Sequence, residues 1–188
     1  TLPTDTLIRV WCEIGACVAA SGVRKMVLFN SHGGNIPVMD IVARELRVRH
    51  GMMVFCLNWF GLGMPDGVYS EHDLKHGIHA GDMETSVMLE MHPDLVVMEK
   101  AQDFRTLTEV FTRDFKYIGL GGGAKPAWQM HDINPHGAAG NATLATPEKG
   151  RRTIDFAADR LVEALDEIER APLSWLDNQP VGGEVDGP

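Results

Sequence analysis

The chain has 188 residues, 17 Lys and Arg against 26 Asp and Glu, a formal net charge of −9 and a hydrophobic fraction of 44%. That length suits one globular domain with a sizeable core, and an acidic surface with pI near 5.3 repels nucleic acid and anionic membranes, so neither is an expected partner. No apolar run approaches the roughly 18 residues of a membrane-spanning helix, and Cys12, Cys17 and Cys56, without a C-x-x-C spacing, suggest neither a disulfide framework nor a thiolate zinc site.

A reducing cytoplasm is therefore the expected location. The opening segment lacks the charged and apolar regions of a signal peptide, and Thr1 in place of Met is expected of a sequence that begins inside a longer protein. Thr4 or Asp5 caps a first helix with Leu7, Ile8, Trp11, Ile14 and Val18 on a helical period, ending at Ser21-Gly22. Residues 25 to 29 form a short apolar run typical of a parallel strand covered on both faces. The turn Asn30-Ser31-His32-Gly33-Gly34-Asn35 follows, and Pro37, Val38, Ile41, Val42 and Leu46 then predict a proline-started amphipathic helix. Residues 52 to 57 are a second strand, completing a strand–helix–strand unit expected to be parallel and right-handed. The architecture is α/β.

From 58 to 78 the glycines and a Pro-Asp-Gly turn predict a long loop, functional or mobile. Asp82 starts a helix through about Met91, stopped by His92-Pro93. Residues 112 to 142 read as a long irregular excursion. Thr146-Pro147-Glu148 begins a last helix with Ile154, Ala157, Leu161, Leu165 and Ile168 on one face. With no repeat and no linker, residues 1 to 171 are expected to form a single domain, followed by a polar tail from 172 to 188.

Chemistry-bearing residues gather in two places. His32 lies in the turn after a buried strand, where open parallel sheets hold ligands, and Gly33-Gly34 permit close backbone approach. His32 is then either a ligand or a turn histidine held by hydrogen bonds; an anion-binding turn is a poorer third reading, since no G-x-G-x-x-G or P-loop pattern is present. The second place is His79-Ala80-Gly81-Asp82-Met83-Glu84-Thr85-Ser86. A helix from Asp82 puts Glu84 in the arc of Met83, Val87, Met88 and Met91, and a carboxylate buried there needs a hydrogen bond, an ion pair or a metal. A half-exposed Glu at a frayed first turn is the alternative. One His and one Glu suggest a site for Zn, Mn or Fe rather than a thiolate metal site. Glu71-His72-Asp73 and His76 are either solvated loop residues or further ligands, and His131, Asp132 and His136 either line a pocket or make turns. Trp59 and Trp128 either cover a small substrate or pack in the core.

Taken with Gly137 through Gly150, these two motifs resemble the creatininase (creatinine amidohydrolase) family, in order and spacing, from about residue 5 to residue 170. The resemblance implies a three-layer α/β/α fold with a mainly parallel sheet, a homo-oligomer, often a hexamer, and two divalent metals, Zn, Mn or Fe, at the C-terminal edge of the sheet. It implies hydrolysis of a small cyclic or linear amide by metal-activated hydroxide, with no Ser or Cys nucleophile. Carried onto this chain, His32 and Glu84 are metal ligands, and His79 is the catalytic histidine that protonates the leaving nitrogen or positions the substrate. Ser31, Gly33, Gly34, Asn35, Trp59, Asp82 and Trp128 then line the substrate pocket. Ser31 replaces the commoner Gly, and Asn141 stands where relatives often have Asp. Family members also carry an E-x-H-G-x-H-L-P segment and a following Asp that supply the remaining ligands, a stretch these 188 residues do not contain. The rival expectation is a catalytically incomplete family member that serves as a structural or oligomeric subunit.

Overall fold

In the computed structural model, which describes residues 2–177, the chain divides into two units, Thr1–Gly63 with Asp159–Pro188, and Met64–Ala158. The first unit opens with α1 (Thr4–Ala20), which carries Asp5 at its positive end and stops at Ser21 before Gly22 at φ +93°. Leu7, Ile8, Trp11 and Val18 pack on a core of Val38, Val42, Leu46 and Met52, as their spacing predicts. Ile14 departs from that expectation. It is 54% exposed, because Gly15, one helical step on, is the position turned to the core; a Cβ there would lie 2.5 Å from both Leu46 methyls.

Strand β1 (Lys25–Asn30) pairs in parallel with β2 (Met53–Asn58), from Lys25 opposite Met53 to Asn30 opposite Asn58. The connection is α2 (Ile36–His50), with Pro37 in its first turn and Gly51 at φ +62° closing it. Met26, Leu28 and Val54 pack on the helical core. The opposite face of β1 is less covered than its apolar run predicts, with Phe29 54% exposed. On that face Lys25 Nζ donates to the carbonyls of Ile168, Glu169 and Ala171 at 2.7, 2.7 and 2.8 Å. A lysine at the strand start thus satisfies acceptors left open at the end of the last helix.

The second unit is helical, with one short antiparallel pair. The stretch from 58 to 78, expected as loop, holds a 3-10 turn at Trp59–Leu62 in the first unit and α3 (Glu71–His76) in the second, capped by Ser70 Oγ accepting from Asp73 N at 3.0 Å. Helix α4 (Asp82–Met91) has the expected bounds. Strand β3 (Asp103–Phe104) precedes α5 (Leu107–Asp114), which starts in a reciprocal cap between Thr106 and Glu109. The excursion from 112 to 142 takes in the end of α5, α6 (Met130–Ile133), β4 (Gly140–Asn141), the antiparallel partner of β3, and the start of a 3-10 turn at Ala142–Leu144, with irregular chain between them. Finally α7 (Pro147–Arg170) half-buries Ile154, Ala157, Leu161 and Ile168 but leaves Leu165 exposed. Among the described residues no helix is long and apolar enough to cross a membrane.

Candidate functional site

In the first unit the turn after β1 is organised by Asn30, which is buried at the strand end. Its Nδ2 donates to the carbonyl of His32 at 2.9 Å and to Asn58 Oδ1 at 2.7 Å. Its Oδ1 accepts from His32 N and from Asn35 Nδ2, both at 3.2 Å. Both ends of one amide are thereby used to hold the loop that carries His32. The His32 ring lies over Gly34, where a Cβ would stand 2.6 Å from Nε2, so this glycine leaves room for the imidazole. Ser31, His32, Gly33 and Gly34 are exposed, while Asn35 and Trp59 are half-buried.

In the second unit the His79–Ser86 block is fastened to the segment before β4. Ala139 N donates to His79 O at 2.7 Å and Ile78 N to Ala139 O at 2.9 Å. Gly81 and Gly140, the latter at φ +127°, face each other so closely that a Cβ on either would press on the other's backbone. Ala80, bracketed by these contacts, takes a left-handed φ of 52°, a conformation that a non-glycine residue holds only where its surroundings enforce it. Glu84 reaches back over this turn. Its Oε2 accepts from Ala80 N at 2.8 Å and its Oε1 lies 3.3 Å from His79 Nδ1.

The carboxylate that α4 buries is not the one the helical period selects. The Glu84 side chain is 42% exposed, so it sits at the helix start as the alternative reading had it. Asp82 is the buried one, 1% exposed, 2.6 Å from Lys149 Nζ, with its Oδ1 accepting from Ser86 Oγ at 3.2 Å. Its oxygens therefore face α7 and the inside of α4.

The remaining candidates settle into local roles. Asp73 accepts from Ser70 Oγ at 2.8 Å and from Asn141 N at 3.2 Å, stitching α3 to β4. His76 is buried with Nδ1 2.9 Å from Thr108 Oγ1, and burial pushes its pKa down, helped by neighbouring His72 and Lys75. His72 lies 3.8 Å from Glu109. Burial pushes the Glu109 carboxyl up, but hydrogen bonds from Arg105 and Thr106 N outweigh it and hold the carboxyl below its ordinary value. Asp132 caps α6 by accepting from Gln129 N at 2.7 Å, and His136 N donates to Asn134 Oδ1 at 2.8 Å. Trp128 is half-buried in the irregular segment before α6.

Among the described residues no group of three His, Cys, Asp or Glu side chains could hold a metal ion. His79 and Glu84 together, and His32 by itself, offer nitrogen and carboxylate donors of the kind that Zn and Mn take. The donors fit such an ion in kind. Sequence reasoning did not single out Asn30, Asn58 or Lys149. For Lys149 the available signal was its place two residues after the Pro147 helix start, in a stretch that the resemblance already included.

The fold is that of known creatininase structures. It is similar to a Bacteroides fragilis NCTC 9343 structure assigned to creatinine amidohydrolases, with TM-score 0.72, 24% identity and coverage of 92% of this chain and 64% of that one. Creatininase structures named for their Zn–Zn and Mn forms match with TM-score 0.63 and 24% identity, over 92% of this chain and 66% of theirs. The family model for creatininase, described as creatinine amidohydrolase, matches residues 1–165, and the chain belongs to the creatininase family. It is 28% identical over 149 residues to the mycofactocin precursor peptide peptidase of Mycobacterium ulcerans (strain Agy99), a match covering 78% of this chain and 50% of that protein. It is 26% identical over 166 residues to the creatinine amidohydrolase of Pseudomonas putida, covering 80% and 58%. The chain thus spans between half and three fifths of the length of these two relatives.

Proposed function

We propose that the protein is a metal-dependent amidohydrolase acting on a small cyclic or linear amide, with His32 and Glu84 as metal ligands and His79 as the catalytic histidine. The observation that carries this reading is the approach of His79 Nδ1 to Glu84 Oε1 at 3.3 Å, at a helix start enforced by a strained Ala80. Membership of a family whose named members include an amidohydrolase and a peptidase supports C–N hydrolysis. Structures of Zn and Mn forms support a divalent cation. When bound, such a cation supplies polarisation of the amide carbonyl and acidification of a water.

The protein's own groups do the rest. Asn30 fixes the loop that presents His32, and Gly34 leaves room for its ring. Glu84, held by Ala80 N, fixes the His79 ring through Nδ1, so that Nε2 is the nitrogen that delivers a proton to the departing amine. Without that proton the amide nitrogen is a poor leaving group. Ser31, Gly33, Gly34, Asn35, Trp59 and Trp128 are proposed to contact substrate. The same reading carries assembly as a homo-oligomer and a cytoplasmic location, the latter in keeping with free Cys12, Cys17 and Cys56.

The test is hydrolysis of a panel of small amides by the full-length protein with added Zn or Mn, wild type against Glu84→Gln and His79→Ala. Glu84→Gln keeps the side-chain volume and removes the ligand charge, so both turnover and bound metal should fall while the circular dichroism spectrum is unchanged. Wild-type turnover and metal content in Glu84→Gln would overturn the ligand role. A wild-type protein that assembles normally yet turns over none of the panel would favour the non-catalytic subunit reading.

A further inference from the structure

We propose that Lys149, through its buried ion pair with Asp82, is a positioning residue for the His79–Glu84 pair; the inference rests on the amidohydrolase reading. Asp82 is the first residue of α4, and its side chain is 1% exposed. Lys149 Nζ donates to Asp82 Oδ2 at 2.6 Å and to the carbonyl of Leu144 at 2.8 Å. One turn further along α4, Ser86 Oγ donates to Asp82 Oδ1 and accepts from Thr146 N at 3.1 Å. The first turn of α4 is thus tied at two points, through a charge and through a hydroxyl, to the short segment from Leu144 to Lys149.

Glu84 lies two residues after Asp82, about 200° around the helix. Tether and functional carboxylate are therefore on opposite sides of one rigid turn, and a rotation of that turn released on one side reappears on the other. Glu84 Oε2 would leave Ala80 N, and the left-handed Ala80 would lose one of the contacts enforcing it. Deprived of its cation, the buried Asp82 carboxylate keeps only the Ser86 hydroxyl as a partner, and the uncompensated charge favours a shift of the turn toward water. An apolar pair of similar volume would stabilise α4 against α7 as well as the ions do, but would leave its angle less defined.

The test uses the full chain and three variants: Lys149→Met, the conservative Lys149→Arg, and the double variant Asp82→Asn/Lys149→Met, which removes both charges and so leaves no buried charge uncompensated. Amide hydrogen exchange is read at Ala80 and across α4, with α5 as internal control. Hydrolysis of the best amide is measured alongside. The expected result is exchange at Ala80 faster by about tenfold or more, with α5 unchanged, and kcat lower by a similar factor at nearly constant KM. Lys149→Arg should recover most of both. Ala80 exchange equal to wild type in a folded variant, or a rise shared equally by α5, would overturn the proposal and leave the pair a purely structural one. Exchange needs neither substrate nor metal, so absence of turnover in the wild type would count against the amidohydrolase reading alone.

Discussion

Asn30 commits both ends of its amide, to the backbone and the Asn35 side chain of the loop that carries His32 and to Asn58 of β2. Asn30→Ala removes four bonds at a buried strand end, and a destabilisation of about 2 kcal/mol in thermal or denaturant unfolding is expected, together with loss of hydrolysis. Gly34→Ala separates the two effects. Its Cβ meets only the far end of the His32 side chain, so the ring swings aside, stability should change by less than about 1 kcal/mol and activity should collapse. A folded Gly34→Ala protein with full activity would show that the observed His32 orientation is irrelevant. Both acidic positions of α4 were visible as motif letters, yet the helical period assigned burial to Glu84 and not to Asp82. The period fails there because the cover on Asp82 comes from Lys149, a residue 67 positions away that no local window contains.

At the level of elements, α4 and α7 approach so closely that a Cβ on Gly150 would overlap the carbonyl oxygen of Ser86. Backbone cannot yield as a side-chain end can, so Gly150→Ala should cost about 2 kcal/mol or more, read as a lower unfolding midpoint, and should disturb the Asp82–Lys149 pair on the same surface. Helix α3 responds to pH through His76. Its folded pKa lies below the ordinary histidine value of 6.5, so the unfolded chain takes up the proton first as pH falls. The stability that neutral His76 supports is complete above about 6.5 and is lost as pH drops through the lowered value. Melts at pH 7.5 and 5.5 should show a smaller acid-induced decrease in His76→Gln than in wild type. The long elements α1, α2, α4 and α7 were legible from prolines, stop signals and spacing, although the expected Thr4 or Asp5 cap of α1 does not form, since the helix starts after Pro3 with no side-chain cap. Helix α3 and α5 were not, because six and eight residues hold too little of a hydrophobic period to stand out from loop composition.

For the whole molecule, the parallel strand pair and its crossover helix were readable from two apolar runs on either side of a proline-started helix, and with them the α/β class. The division into two units was not, because the first unit is assembled from both ends of the chain and no change of composition marks where it resumes at Asp159. Phe29, Val48, Leu95, Tyr117 and Trp175 are exposed, and assembly as the proposed homo-oligomer would cover apolar surface of this kind. Analytical ultracentrifugation at micromolar concentration should therefore find several copies per particle, and a monomeric mass would count against the proposed homo-oligomer.

The Lys25 clasp has a consequence for how this chain is made. The helical core of Val38, Val42, Leu46 and Met52 gathers its partners from residues no later than Val54, so α1, β1, α2 and β2 can begin to pack as soon as they leave the ribosome. The acceptors of Lys25 are 143 to 146 positions downstream. Until residues 168 to 171 have been made, that ammonium group remains in water at the start of a strand, and the unit whose core packs first waits on a segment more than 140 positions downstream for this clasp.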